Sequence, residues 1–356
     1  MSFFSYIARL ALYIMIISPC FAQDFPPGGL FSSDDVLKVR LSGNVRELVK
    51  DRKDDSQYKP FRLSYQEKDS TWISVSIEVK TRGHFRKTQG GCEYPPMLLN
   101  FSKEKSSKNS IFNNQSKLKL VTPCRGDKYV VREYLVYKLS NLVTPRSFGA
   151  RLVKLIYDDT VSGKKSLPLY GILLEEESQM AKRNNATLVE KKSVKPQQTQ
   201  TEDFLNLAVF NFLVGNTDWS VQYLQNIKLI AASPTDLPSA IPYDFDHAGI
   251  VGAPYAKPAE QLQLGSIRER RYRGYCMNDM VHFEKVFTHF NELKEKVYGV
   301  YTQSRLLDES YIKSTSKYLD EFYKTINDPK LAKAAFQYPC DPNGTGNVVI
   351  KGLSKE

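Results

Sequence analysis

Residues that build metal and redox centres are scarce in this sequence. Its 356 residues include five cysteines and four histidines. No two cysteines have CxxC spacing, and cysteine never clusters with histidine, so neither a zinc site nor a dithiol redox centre finds its ligands. His84, His247, His282 and His289 do not form a zinc-protease pattern. Long apolar runs are also missing. After an N-terminal stretch, Leu10 to Ile17, no segment approaches the roughly 20 apolar residues that a membrane span requires. No internal repeat, long low-complexity block or nucleic-acid-binding motif is present, which argues against solenoids and the common nucleic-acid modules.

What is present begins at the N-terminus. Arg9 precedes the apolar run, and Ser18-Pro19-Cys20-Phe21-Ala22 follows it. A charged start, a short apolar core and a small-x-small site predict a cleavable secretory signal over residues 1–22. Pro19 directly before Cys20 argues against a lipoprotein anchor. The expected mature protein is exported, periplasmic or extracellular, and has no transmembrane segment. Outside the signal four cysteines remain, Cys92, Cys124, Cys276 and Cys340. An even count in an oxidising compartment reads as two disulfides, with three connectivities open. Cys92–Cys124 and Cys276–Cys340 are the expected pairs, because each would staple one half of the chain. The formal charge of +11 favours anionic partners, although the basic residues are spread along the chain rather than massed in one tract.

The hydrophobic pattern changes character midway. Val36–Leu41, Phe61–Tyr65, Trp72–Lys80, Met97–Phe101 and Lys117–Val121 alternate or concentrate apolar residues as strands do. Tyr129–Leu142 has helical spacing with Val131, Leu135, Leu139 and Leu142 on one face. Two more strands follow, Ala150–Tyr157 and Leu167–Glu175. Residues 191–201 are polar and read as a mobile loop. Beyond them helices dominate, and Phe204–Val214 is apolar nearly all round, the mark of a buried helix. Two short strands, Asn226–Ala231 and Ala240–Tyr243, interrupt before the amphipathic C-terminal helices. The outline is α+β: a β-rich part over 23–176 and a helical part over 177–356.

Two acidic clusters carry the chemistry. Gly215-Asn216-Thr217-Asp218 directly follows the buried helix, and Tyr243-Asp244-Phe245-Asp246 ends a strand. Asn226 opens the strand between them. Taken singly, each cluster is also a good turn sequence. Taken together, an aspartate, an asparagine and phosphate oxygens make a Mg²⁺ site, because Mg²⁺ takes few protein ligands and shares its shell with substrate. The remaining aspartate can accept the proton of an attacking hydroxyl, the division of labour in phosphoryl transfer.

In this order Asp218, Asn226 and Asp246 resemble the catalytic and metal-binding loops of the protein-kinase-like superfamily, above all its atypical spore-coat protein H (CotH) kinase-like family. Tyr243-Asp244-Phe245-Asp246 looks like that family's aromatic-Asp-x-Asp motif, and the Gly215–Asp218 loop is similar to those of HipA-type and lipid kinases. The resemblance covers roughly residues 75–255. It implies a two-lobed protein-kinase-like fold and an exported phosphotransferase using Mg²⁺ or Mn²⁺ with ATP or another phosphorylated donor. Asp218 would be the base, with Asn226, Asp246 and Asp244 at the metal. Lys119 would clamp phosphate, oriented by Glu133, although Lys117 shares its strand face. Arg82 of Thr81-Arg82-Gly83-His84 would lie near the phosphates, and Glu175 in the hinge beside the nucleotide base. The acceptor, anionic or protein, would dock near Arg268, Arg270, Arg271 and Arg273. The sequence departs from the superfamily in having no His-Arg-Asp loop, no Gly-x-Gly-x-x-Gly loop and no Asp-Phe-Gly, and in a long interval from Asp218 to Asn226. Two other readings compete: an inactive kinase-like module holding an anionic ligand or cell-surface polymer, and a metal-assisted hydrolase built on Asp244 and Asp246.

Overall fold

Ten strands form among the residues described, most of the early ones from alternating apolar and polar residues. The computed structural model describes residues 25, 29–83, 85–88, 91–101, 110–274 and 279–337. The expected signal over 1–22, His84 and the expected Cys276–Cys340 bridge lie outside the described residues. The first half runs β1 (Leu37–Gly43), α1 (Val45–Lys50), β2 (Lys59–Gln66), β3 (Trp72–Thr81), α2 (Phe85–Thr88), β4 (Met97–Asn100), β5 (Lys117–Val121), α3 (Asp127–Val143), β6 (Ala150–Asp159) and β7 (Leu169–Leu174). The second runs α4 (Glu177–Arg183), β8 (Thr187–Leu188), α5 (Thr201–Val214), β9 (Ile227–Ala231), β10 (Ser239–Pro242), α6 (Val281–Glu292), α7 (Lys294–Thr302), α8 (Glu309–Asn327) and α9 (Pro329–Phe336).

The seven strands of the first half close into a barrel in the order β1-β2-β3-β4-β5-β7-β6. All neighbours are antiparallel except the seam, where β1 runs parallel to β6 from Leu37 opposite Val153 to Gly43 opposite Asp159. Inward residues fill the barrel: Val39 and Leu41 from β1, Leu63 and Tyr65 from β2, Val75 and Ile77 from β3, Leu155 and Tyr157 from β6. On β6 and β7 the other face is apolar as well. Ala150, Leu152, Ile172 and Leu174 pack against the helices, which explains why these strands read as nearly continuous apolar runs.

This closed, mixed barrel overturns the expectation of a two-lobed protein-kinase-like fold. The strands themselves were legible. Their closure was not, because the parallel seam joins segments more than a hundred residues apart, and no local pattern encodes it.

Helix α3 packs on β6 and β7 and on helices α5 and α7. Sequence spacing gives it one apolar face, yet it is buried on most sides, with Glu133, Ser140 and Asn141 enclosed beside its apolar residues. Helix α5 is enclosed almost entirely, as its composition predicts. A small sheet, β10-β9-β8, lies beside it. The expected loop over 191–201 contains a short 3-10 turn at Pro196–Gln198. Helices α6 to α9 extend the core around α5, and Phe212 of α5 meets Phe322 of α8 and Phe336 of α9.

Candidate functional site

Helix α5 ends in a way that aims one aspartate. Gly215 adopts φ +67° and donates to the carbonyls of Asn211 and Phe212. A side chain there would be strained, and its Cβ would lie 2.1 Å from the Tyr318 hydroxyl. Asn216 donates from its amide to Asn211 Oδ1 at 2.9 Å, and its own Oδ1 accepts from the Asp218 backbone N–H at 3.0 Å. This buried Asn211–Asn216 relay fixes the backbone at Asp218.

The long interval to Asn226 folds into a miniature hairpin, with Ser220 and Gln225 exchanging backbone hydrogen bonds. Leu224 and Asn226, both at positive φ, make the tight return. Asn226 thereby comes back to Asp218 despite the extra residues. Its Nδ2 donates to Asp218 Oδ2 at 3.0 Å and to the Asp218 carbonyl at 2.8 Å, while Gln225 Nε2 donates to Oδ1 at 3.3 Å. Two amides thus orient one carboxylate. With its nitrogen engaged, Asn226 has its amide oxygen left for the cleft that it lines.

The second cluster is tied to the first. The Tyr243 N–H donates to the Asn226 carbonyl at 3.0 Å. Asp244 then turns through φ +61°, and its N–H donates to the buried Tyr137 hydroxyl at 2.9 Å. Burial and the neighbouring Asp246 raise the Asp244 carboxyl above its ordinary range. Asp246 is 5% exposed and accepts from the Tyr255 hydroxyl at 3.1 Å.

Asp218, Asn226, Asp244, Asp246, Arg82 and Lys119 line one cleft of about 160 Å³, between the barrel rim and the loops after α5 and β10. Arg86, Tyr243, Phe85 and His247 are among the other residues that line it. The sequence therefore points to six residues that the fold brings together.

Two expectations are corrected. Lys119 does not pair with Glu133. Its Nζ meets Glu177 Oε2 at 2.9 Å and lies 4.8 Å from the centre of the Tyr243 ring. Lys228 reaches the other oxygen of Glu177 at 3.2 Å. Burial and nearby Arg82 lower the Lys119 ammonium below its ordinary value. Although burial alone would raise Glu177, Lys119 and Lys228 hold it below the usual carboxylate range. Glu175 does not line the cleft. Its carboxylate accepts from Arg183 at 3.1 and 2.9 Å and from the Gly149 N–H at 2.8 Å, clamping α4 to the barrel end.

The partner of Glu133 is Arg86, which sequence reasoning missed. Arg86 Nη1 lies 3.7 Å from Glu133 Oε2 and 3.7 Å from Asp246 Oδ2, and Nη2 donates to the Thr122 carbonyl. Burial works against the guanidinium charge, but Asp246 leads several groups that hold it protonated. Burial drives Glu133 well above its ordinary value, with Asp246 and Asp244 adding to the effect against Arg86. Arg86 follows Arg82 by four residues on the short helix α2, with no motif to mark it. The Cys92–Cys124 disulfide is present and closes the chain around this region, two residues beyond Thr122.

Two of the four arginines expected to meet an acceptor are engaged internally. Arg273 donates to the carbonyls of Thr217 and Trp219, and Arg270 to those of Leu213 and Tyr318. They brace the Asp218 loop and its helix from behind. Arg268 is exposed but lies over the Tyr318 ring, and Arg271 is exposed.

Among the described residues no three His, Cys, Asp or Glu side chains gather closely enough to hold a metal by themselves. Two carboxylates and an amide oxygen are nonetheless a donor set suited to Mg²⁺ that also binds phosphate. Comparison with known proteins finds no matching protein family and no matching curated protein. No described helix is long and apolar enough to cross a membrane.

Proposed function

We propose that this protein is a phosphotransferase that uses a nucleotide or another phosphorylated donor with Mg²⁺ or Mn²⁺. The observation that carries this reading is the convergence of Asp218, Asn226 and the Asp244–Asp246 pair on one cleft whose other wall holds Arg82 and Lys119. Asn226 Oδ1, Asp246 and Asp244 would hold the ion, which supplies charge neutralisation on the donor phosphates. Arg82 and Lys119 bind the transferred phosphate and keep it in line. Asp218, oriented by Gln225 and Asn226, accepts the proton of the acceptor hydroxyl as its oxygen bonds to phosphorus and the bond to the donor's leaving group breaks. The order Asp218, Asn226, Asp246, which resembles CotH-type loops, supports this assignment of roles.

A second reading, an inactive module that holds an anionic ligand, is favoured by one observation. Arg86 already stands as an internal cation beside Asp246. One experiment separates the two. Melting temperature is measured with ATP and Mg²⁺ or Mn²⁺ for the parent, Asp246→Ala and Asp218→Ala, followed by analysis of the nucleotide products. A ligand at a hundred times its Kd stabilises by about 2.7 kcal/mol. The phosphotransferase reading expects a metal-dependent rise that Asp246→Ala abolishes and Asp218→Ala retains, with turnover in the parent only. Binding without turnover by the parent supports the module, and no shift with any nucleotide removes both roles for ATP.

A further inference from the structure

The hairpin joining β6 to β7 has no part in the cleft, yet it exposes the two most solvent-accessible large apolar side chains among the described residues. Val161 is 72% exposed and Leu167 is 82% exposed. Between them, Ser162, Lys164, Lys165 and Ser166 line a groove of about 560 Å³ together with Arg46 and Lys50 of α1. The aromatic floor of that groove is the stacked pair Tyr94 and Tyr157, 4.3 Å apart.

The hairpin is built to hold this shape. Asp159 N–H donates to the Lys164 carbonyl at 2.8 Å, and Gly163 N–H donates back to the Asp159 carbonyl at 2.8 Å. Gly163 supplies the positive φ that this turn requires. The Asp159 carboxylate accepts from the Val45 N–H and from the Ser162 backbone and hydroxyl, so the same residue ties the turn to α1. The Ser166 N–H donates to the Tyr157 carbonyl at 2.8 Å. Val161 and Leu167 are therefore held in solvent by an ordered turn, not exposed by a loose one.

Charge completes the pattern. Arg46, Lys50, Lys164 and Lys165 are all exposed at the groove. The carboxylates nearby are Glu93, Asp159 and Asp158. Asp159 is engaged by the turn, and Asp158 meets Lys165 only at 3.9 Å. Two apolar side chains flanking a basic groove match a phospholipid surface. Acyl chains receive the apolar tips, and anionic headgroups meet the lysines and arginine. A free phosphate would satisfy the groove but leave Val161 and Leu167 without a role.

We propose that the β6–β7 hairpin and α1 form a surface that docks the protein reversibly onto membranes bearing anionic phospholipid. The test is sedimentation of the full chain with neutral phosphatidylcholine vesicles and with vesicles containing about one-third phosphatidylglycerol. The variants are Lys164→Glu/Lys165→Glu and Val161→Ser/Leu167→Ser. All four positions are exposed, and unchanged melting temperatures establish that each variant is folded. Binding is expected on the anionic vesicles only. Each basic charge near a membrane is worth about 1 kcal/mol, a five-fold change in partitioning, so the charge-reversal variant should bind at least about twenty-five-fold more weakly. The serine variant should lose several-fold, most visibly at high salt, where apolar insertion carries the binding. Equal binding to neutral vesicles, no binding to either, or parent-like binding by either variant overturns the proposal. So does saturation of the groove by glycerol phosphate with no measurable attachment to vesicles.

Discussion

Arg86 places a buried positive charge between two buried carboxylates. Arg86→Met would leave Glu133 and Asp246 without that counter-ion, at an expected loss of about 3–5 kcal/mol in urea unfolding at pH 8. The pH dependence has a definite sign. Glu133 is raised above its unfolded value, so its stabilising contribution is present at low pH and disappears as pH rises through the folded value. Loss of Arg86 raises Glu133 further. The Met variant's deficit should therefore shrink as pH falls below the folded value of Glu133, and Arg86→Lys should retain part of the parent's stability throughout. A deficit that does not change with pH would assign Arg86 a packing role instead. Arg86 was invisible in the sequence because its partners come from a helix and a loop far along the chain. Asp218 and Asn226 were legible because each stands at the end of an element whose pattern is plain. The Lys119–Glu133 pairing was misread for a related reason. Lys119 was correctly placed on a strand, but its partner is chosen by the start of α4, where Glu177 stands, and local pattern does not report that approach.

Helix α2 is only four residues long and cannot hold itself in place through its own hydrogen bonds. Its support comes from outside. Arg52 donates to the carbonyls of Lys87, Cys92 and Glu93, Lys87 donates to the Lys53 carbonyl, and the Cys92–Cys124 bridge ties the following segment to the end of β5. The bridge spans a sequence separation of 32 residues. Its removal by Cys92→Ser/Cys124→Ser should cost about 3–4 kcal/mol of stability in denaturant unfolding, from loop entropy alone. Cysteine count left three pairings open, and the pair expected to staple the first half of the chain is present. The period of two made the strands readable, with ends displaced by only a few residues. Helix α3 shows the limit of periodicity. Its polar Glu133, Ser140 and Asn141 are buried beside the apolar face, Glu133 towards Arg86 and Asn141 towards Ser147 and the Phe148 carbonyl.

At the scale of the molecule, the parallel seam between β1 and β6 determines which backbone groups reach water. In an open sheet each of these strands would lie unpaired on one side. In the barrel both are paired on both sides. Hydrogen exchange should show amides of β1 and β6 protected to the same degree as those of β2, which is paired on both sides. Rapid exchange of the facing amides in both β1 and β6 would indicate an open seam. The fold class was misread at this scale, although nearly every strand was found, because topology depends on which strands meet and only the assembled core decides that. Closure also restricts how the barrel meets other chains. Exposed strand edges recruit foreign strands, in ordinary peptide capture and in fibril growth alike. Where β1 and β6 close on each other neither offers such a template, so a partner that meets the barrel along this seam must recognise side chains.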